Sequence, residues 1–193
     1  MSRRVRRRRR FALGAAAAVV GLAAGLLVAS GSFDKALKEF TLPLRHEDII
    51  REQSSEKGVD ASLIAAVIYS ESKFVDQTSH AGARGLMQIT PDAAEFIERQ
   101  SGGTSFELED LADPEINIRY GTFLLAELLE RYDGDEAAAL AAYNAGPGNA
   151  DEWGGADLTV EDIEFPETRA YVEEVLEKRD EYRSEYGKEL GYR

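Results

Sequence analysis

The sequence predicts a mainly α-helical protein. No stretch of its 193 residues alternates apolar and polar residues between hairpin turns, which is the pattern of a half-buried strand. About six or seven segments instead carry helix start and stop signals, such as an N-cap residue before proline or a glycine after the last turn. Their apolar residues recur at helical spacing, so we expect a helical domain packed around apolar helix faces.

The N-terminus joins a basic cluster to a long uncharged stretch. Residues 1–10 hold seven arginines, and residues 11–30 carry no charge. A stretch of about 20 apolar residues can cross a bilayer, and basic flanks stay in the cytoplasm. We therefore expect a single-pass anchor over residues 11–30, a tether with some helical tendency over residues 31–44, and an exported domain on the outer side of the cytoplasmic membrane. The small residues Ala29, Ser30 and Gly31 leave a cleaved signal and a secreted protein as the alternative.

The exported part is strongly acidic. Apart from the seven arginines, 16 basic residues stand against 36 acidic ones, a formal charge of −20. This charge argues against nucleic acid or anionic lipid as its ligand. The chain has no Cys and two His, so a lipid-bearing cysteine is excluded and a metal site or cofactor has little support.

The next helices place one carboxylate on an apolar face. An amphipathic helix is expected over residues 46–57, ending before Gly58, and another after Asp60, a good N-cap. Glu71 follows Val67 by four residues and so lies on the apolar face of this second helix. Loss of water raises the pKa of a carboxyl group, as a proton donor near neutral pH requires. A last-turn glutamate turned into solvent is the alternative.

The later elements are read from similar signals. Residues 73–81 form a loop, and Thr90 starts a short helix. Asp113-Pro114 starts a long helix with apolar residues from Ile116 to Leu129, in which Gly121 indicates a close helix crossing. Residues 137–142 form a helix of small residues, whereas residues 149–152 show no helical periodicity. We expect Trp153 to pack in the core or at its rim rather than to serve as a platform for a ligand. A last, peripheral helix follows Phe165, and residues 183–193 are expected to fray.

Four motifs occur in an order that resembles one enzyme family. They are Glu71-Ser72, residues 82–88 (Gly-Ala-Arg-Gly-Leu-Met-Gln), residues 142–146 (Ala-Tyr-Asn-Ala-Gly) and residues 167–172 (Glu-Thr-Arg-Ala-Tyr-Val). Together they resemble the lytic murein transglycosylases of the soluble-lytic-transglycosylase type, within the goose-type lysozyme-like superfamily. The resemblance covers roughly residues 45–175 and implies a lysozyme-like helical domain with a long substrate cleft, which we place at residues 45–182.

The resemblance also implies a reaction. In that family a single glutamic acid, here Glu71, protonates the bond between N-acetylmuramic acid and N-acetylglucosamine in peptidoglycan. As carboxylate it then takes the proton of the C6 hydroxyl, which leaves a 1,6-anhydromuramoyl end. The implied partner is a glycan strand, no metal or cofactor takes part, and the enzyme is expected to be a monomer.

The resemblance assigns six further site residues. Ser79, Met87 and Gln88 match positions that contact substrate, and Tyr171 resembles a tyrosine near the cleft. Tyr143 matches the tyrosine whose hydroxyl bonds the catalytic carboxylate or the sugar beside it, and Asn144 can do either. Asn117, Ile118 and Gly121 match a family pattern without an assigned role.

Two other functions stay open at this point. Many relatives have an Asn-Pro or Asp-Pro pair where this chain has Val75-Asp76, and Asp76 could position a water for hydrolysis, as in a goose-type lysozyme. A wall-binding module that grips glycan without cutting it would also suit the anchor and the acidic surface.

Overall fold

Eight α-helices carry the structure over the part of the chain that it describes. This computed structural model describes residues 25, 31–101 and 107–192, in two units that divide after Pro43. The helices are α1 Ser32–Thr41, α2 Glu47–Lys57, α3 Ala61–Ser72, α4 Pro91–Ser101, α5 Pro114–Arg131, α6 Glu136–Ala145, α7 Pro147–Glu152 and α8 Pro166–Tyr186. Short 3-10 turns lie at Leu108–Ala112, Gly155–Asp157 and Val160–Asp162. Within these ranges there is no strand, only isolated antiparallel bridges from Arg84 to Thr78 and to Ile89, so the predicted helical class is confirmed.

Helix α3 forms the centre of the second unit. Residues 61–68 are all buried, and α3 packs along α8. This burial follows from the run Leu-Ile-Ala-Ala-Val-Ile at 63–68, which is apolar all round rather than along one stripe. Each fully buried Leu or Ile contributes roughly 1.5–3 kcal/mol. The helix that carries Glu71 is therefore firmly held by the core.

The predicted helix starts are confirmed by their caps. The Asp60 carboxylate accepts hydrogen bonds from Ser62 N at 2.9 Å and Leu63 N at 3.3 Å. Asp113 and Asp135 cap α5 and α6 in the same way, with bonds of 2.8 Å from Glu115 N and from Ala138 N. Such caps satisfy amide groups that a helix leaves unpaired, and each contributes about 1 kcal/mol.

Two local predictions were wrong. Residues 147–152 form α7, which begins at Pro147 directly after Gly146 (φ 88°), because proline suits a first helical position even where apolar periodicity is weak. Gly121 does not mark a helix crossing. A Cβ there would lie 2.3 Å from the Met87 sulfur, so the glycine makes room for a side chain from the loop before α4.

The C-terminal residues do not fray as expected. Helix α8 continues to Tyr186, and Leu190 is buried. The Tyr192 hydroxyl donates to the Asp60 carboxylate and accepts from Ser62 N, so residues 187–192 hold the N-terminus of α3. The many charges of this segment suggested a solvated tail, but its few apolar residues reach the core.

The packing expected of Trp153 is confirmed. The side chain is buried and makes an edge-to-face contact with Phe165, with ring centroids 4.9 Å apart. Such a pair stabilises the fold by about 0.5–1.5 kcal/mol beyond the contribution from burying the two rings.

The predicted basic cluster and anchor lie outside the described residues, apart from Gly25. None of the helices in the described ranges is long and apolar enough to cross a membrane. The tether segment contains α1, which forms part of the first unit.

Candidate active site

The Glu71 carboxyl group lies in the last turn of α3, half-buried as its spacing predicts. Burial raises its pKa from 4.5 to about 7, and the nearby Tyr171 hydroxyl lowers it by a smaller amount. Near neutral pH the group therefore exists in both protonation states. This is the condition under which one carboxyl group can give a proton and take one back.

Tyr171 brings a second polar group to this carboxyl from α8. Its hydroxyl is buried and close enough to lower the pKa of Glu71, yet it completes no hydrogen bond of ordinary geometry with any residue that the structure describes. Burial, and then the charge of Glu71, raise the pKa of Tyr171 well above its usual range. The hydroxyl therefore keeps its proton and is available as a donor.

Tyr143, near the end of α6, forms a cluster with Glu71 and Tyr171, because the charge of Glu71 acts on its hydroxyl. Its hydroxyl donates to the Met87 carbonyl at 2.9 Å, not to the carboxylate of Glu71 as one reading of the sequence had it. Burial and the charge of Glu71 raise the pKa of Tyr143 well above its usual range. Because its only proton is already used, the oxygen can accept a bond from protonated Glu71 or from a sugar hydroxyl.

Asn117 on α5 fixes the loop of residues 82–89, and sequence reasoning gave it no role. Its side chain is fully buried. The amide nitrogen donates to the carbonyls of Arg84 at 2.9 Å and Leu111 at 3.0 Å, and the amide oxygen accepts from Met87 N at 2.8 Å. The available signal was a polar residue on the apolar face of a long helix, which must find partners when buried.

The contact between this loop and Asn117 also explains why residue 85 is a glycine. Its φ is 77°, and an added Cβ would lie 2.1 Å from the Asn117 amide nitrogen. Only glycine meets both conditions without strain. The backbone of this loop therefore comes close to another element through its contact with Asn117.

Gln88 joins the loop to the end of α3. Its side-chain amide donates to the carbonyls of Gln77 at 3.0 Å and Gly85 at 2.8 Å. The Gln77 amide in turn donates to the Glu71 carbonyl at 3.2 Å. Gln88 therefore helps to fix the backbone beside Glu71, and its contact with substrate stays a prediction.

Met87 and Ser79 have structural roles in this loop. The Met87 side chain is fully buried against Gly121, so the expected substrate contact through that side chain does not fit; its carbonyl serves Tyr143 instead. The Ser79 oxygen accepts from Ala83 N at 3.1 Å and closes a turn. Its hydroxyl proton is left to donate elsewhere, and a sugar contact stays a prediction.

A cleft of about 740 Å³ adjoins the cluster through Tyr143. Helices α4 and α5 form two of its walls, and Tyr143, Asn144 and Pro147 form the third. Asn144 is exposed there, and its side-chain oxygen accepts from the Thr168 hydroxyl at 2.8 Å, which ties α6 to α8. Glu71, Gln88 and Tyr171 do not line this cleft, whereas Tyr143 and Asn144 do.

The remaining carboxylates near Glu71 in sequence do not form a second centre. Asp76 is exposed in the loop after α3. Among the described residues, no cluster of three or more His, Cys, Asp or Glu side chains could hold a metal ion. The chemistry that this arrangement supports is a proton transfer by one carboxyl group, assisted by two tyrosines.

Comparison with known proteins relates this site to a family. Residues 48–165 match the model of the transglycosylase SLT domain. The soluble lytic murein transglycosylase of Escherichia coli strain K12 is 35% identical over 147 residues, which cover 72% of this chain and 23% of that protein. The membrane-bound lytic murein transglycosylase F of Desulfosudis oleivorans is 39% identical over 112 residues, 54% of this chain and 23% of the relative.

Solved structures agree. The 70 kDa soluble lytic transglycosylase of Escherichia coli superposes with a TM-score of 0.72 at 33% identity over 79% of this chain and 26% of that one. An inactive mutant of the lytic transglycosylase Slt of Pseudomonas aeruginosa gives 0.73 at 32% identity over 78% of this chain and 26% of that one. This chain thus spans about a quarter of the length of these relatives. Because the family model covers well over half of its residues, the chain belongs to the transglycosylase SLT domain family.

Proposed function

We propose that this chain is a peptidoglycan lytic transglycosylase in which Glu71 acts first as acid and then as base. The observation that carries the proposal is the half-buried carboxyl group with a pKa of about 7, which lies near two tyrosine hydroxyls. The lytic murein transglycosylases among its relatives support the substrate class. The glycan strand would extend along the cleft and past Tyr143 to reach Glu71, which does not itself line the cleft.

The reaction needs one mobile proton and no water. Protonated Glu71 donates to the oxygen between C1 of N-acetylmuramic acid and the next N-acetylglucosamine, and the bond from C1 to that oxygen breaks. The C6 hydroxyl of the same muramic acid attacks C1, and the Glu71 carboxylate takes the proton that this hydroxyl loses. The products are a free 4-hydroxyl and a 1,6-anhydro ring, and Glu71 ends as it began.

The protein's part is to hold the sugar and return the proton. An intramolecular attack is fast because the reacting groups are held close together. A rigid site therefore contributes more to the rate than a second charged group would. Burial of α3 and the bonds of Asn117, Gln88 and Gln77 supply that rigidity around Glu71. The Tyr171 hydroxyl would stabilise the carboxylate after the first proton transfer.

The proposal also covers the location of the catalytic domain in the cell. Seven arginines before an uncharged stretch support an anchor over residues 11–30 with the domain on the cell-wall side of the cytoplasmic membrane. Residues 183–192 pack on α3, which supports a catalytic domain that extends from residue 45 past 182.

The unmodified full chain and two variants of it test the function on purified peptidoglycan, with released fragments identified by mass. We expect fragments that are one water lighter than hydrolysis products, a loss of at least about a thousandfold in Glu71→Gln, and little change in Asp76→Asn. Hydrated ends that disappear in Asp76→Asn would instead indicate a goose-type hydrolase. Binding without any fragment from the unmodified chain would indicate a wall-binding module.

A further inference from the structure

Helix α1 exposes three large apolar side chains to its surroundings. The exposed fractions are 54% for Phe33, 50% for Leu37 and 86% for Phe40. Their spacing of four and three residues places them within an arc of about 60° on the helix. Exposed apolar residues that occur singly need no explanation, but a continuous stripe on one helix indicates a binding surface.

The opposite side of α1 is charged and balanced. Asp34, Lys35, Lys38 and Glu39 occupy an arc of about 140° that does not overlap the apolar one. Two acidic and two basic residues give this helix no net formal charge. Its amphipathic character is therefore not accompanied by any attraction to a strongly charged partner.

The position of α1 in the sequence indicates what the stripe contacts. The helix begins at Ser32, two residues after the uncharged stretch of residues 11–30. Its ten residues extend about 15 Å, half of what is needed to cross the hydrocarbon core of a bilayer. A short helix with one apolar and one charged face, placed directly after such a stretch, matches the form of helices that lie in the plane of the membrane interface.

We propose that α1 binds the lipid bilayer surface, lying flat on the cell-wall face of the cytoplasmic membrane with Phe33, Leu37 and Phe40 in the boundary between headgroups and acyl chains. The charged side faces water, where Lys35 and Lys38 can extend towards the headgroups. Since α1 has no net charge and the exported part is acidic, binding needs no anionic lipid. This inference rests on the proposed anchor but not on the proposed chemistry of Glu71.

The absence of cysteine from the chain allows a direct test. Single-cysteine variants Leu37→Cys and Lys35→Cys of the full chain carry a spin label on the apolar and charged faces of the same turn, and Phe40→Cys repeats the apolar position. Each variant is reconstituted in phosphatidylcholine vesicles. Collision of the label is measured with oxygen, which concentrates in lipid, and with a nickel chelate, which stays in water.

We expect the labels at positions 37 and 40 to collide at least about fivefold less with the nickel chelate than the label at 35, and more with oxygen. Equal exposure of all three labels to nickel would mean that α1 stays in water and would overturn the proposal. Labels at 37 and 40 that are shielded from both reagents would place the stripe against protein and would overturn it too, as would a chain that fails to stay with the vesicles. Peptidoglycan cleavage in the same vesicles reports on the enzymatic proposal separately.

Discussion

The raised pKa of Glu71 predicts a stability change as well as a catalytic one. The carboxyl group titrates near 7 in the folded protein and near 4.5 when exposed, so the folded state holds an extra proton between these values. An acid whose folded pKa is raised makes the protein less stable as pH rises through this window. The shift of about 2.5 units corresponds to roughly 3 kcal/mol, reached at about pH 8.

Glu71→Gln removes this cost because glutamine has the same shape and never ionises. We expect the free energy of unfolding of the variant, relative to the unmodified protein, to rise by about 2.5 kcal/mol between about pH 5 and about pH 8. Urea unfolding at the two pH values measures it. Glu52→Gln, at an exposed position on α2, is the matched control and should show no such rise. A difference for Glu71→Gln that is the same at both pH values would refute the account of its burial.

Three further predictions follow from the site. Tyr171→Phe removes the hydroxyl that lowers the pKa of Glu71, so the pH profile of fragment release should move to higher pH; an unchanged profile would contradict this contact. Asn117→Ala leaves one backbone amide and two backbone carbonyls without their partner, so urea unfolding should show a free energy of unfolding lower by roughly 3 kcal/mol. A decrease below about 1 kcal/mol would mean that water replaces these hydrogen bonds. Gly85→Ala should lower the free energy of unfolding by at least about 2 kcal/mol more than Gly82→Ala. Both glycines have positive φ, but only Gly85 has a neighbour within 3 Å of the added Cβ. Equal losses for the two variants would show that backbone strain alone accounts for the effect.

Local signals were enough to predict the helix that carries the acid. Asp60 is a cap because its short carboxylate reaches amide groups two and three residues ahead, and that depends on nothing outside the segment. The burial of Glu71 follows from its spacing to Val67 on the same helix. The motif order then supplied Tyr143 and Tyr171, which lie near Glu71 as the family pattern implies.

Contacts between distant segments were beyond such reasoning. The role of Asn117 depends on a loop about 30 residues away, and the partner of Gly121 is a side chain rather than a helix. Met87 was assigned to the substrate because it matches a family position, but its side chain is fully buried against Gly121 on a helix about 30 residues away. Tyr192 holds α3 from the far end of the chain, where the local composition indicated only a solvated tail.

The fate of water in the reaction tests the central claim most directly. Peptidoglycan is digested by the full chain in water enriched in heavy oxygen, and the new ends are examined by mass. If Glu71 serves as both acid and base for an internal attack, the new ends are 1,6-anhydromuramoyl groups that contain no heavy oxygen, and Glu71→Gln releases none. New reducing ends that carry heavy oxygen would show that water is the nucleophile and would contradict the account.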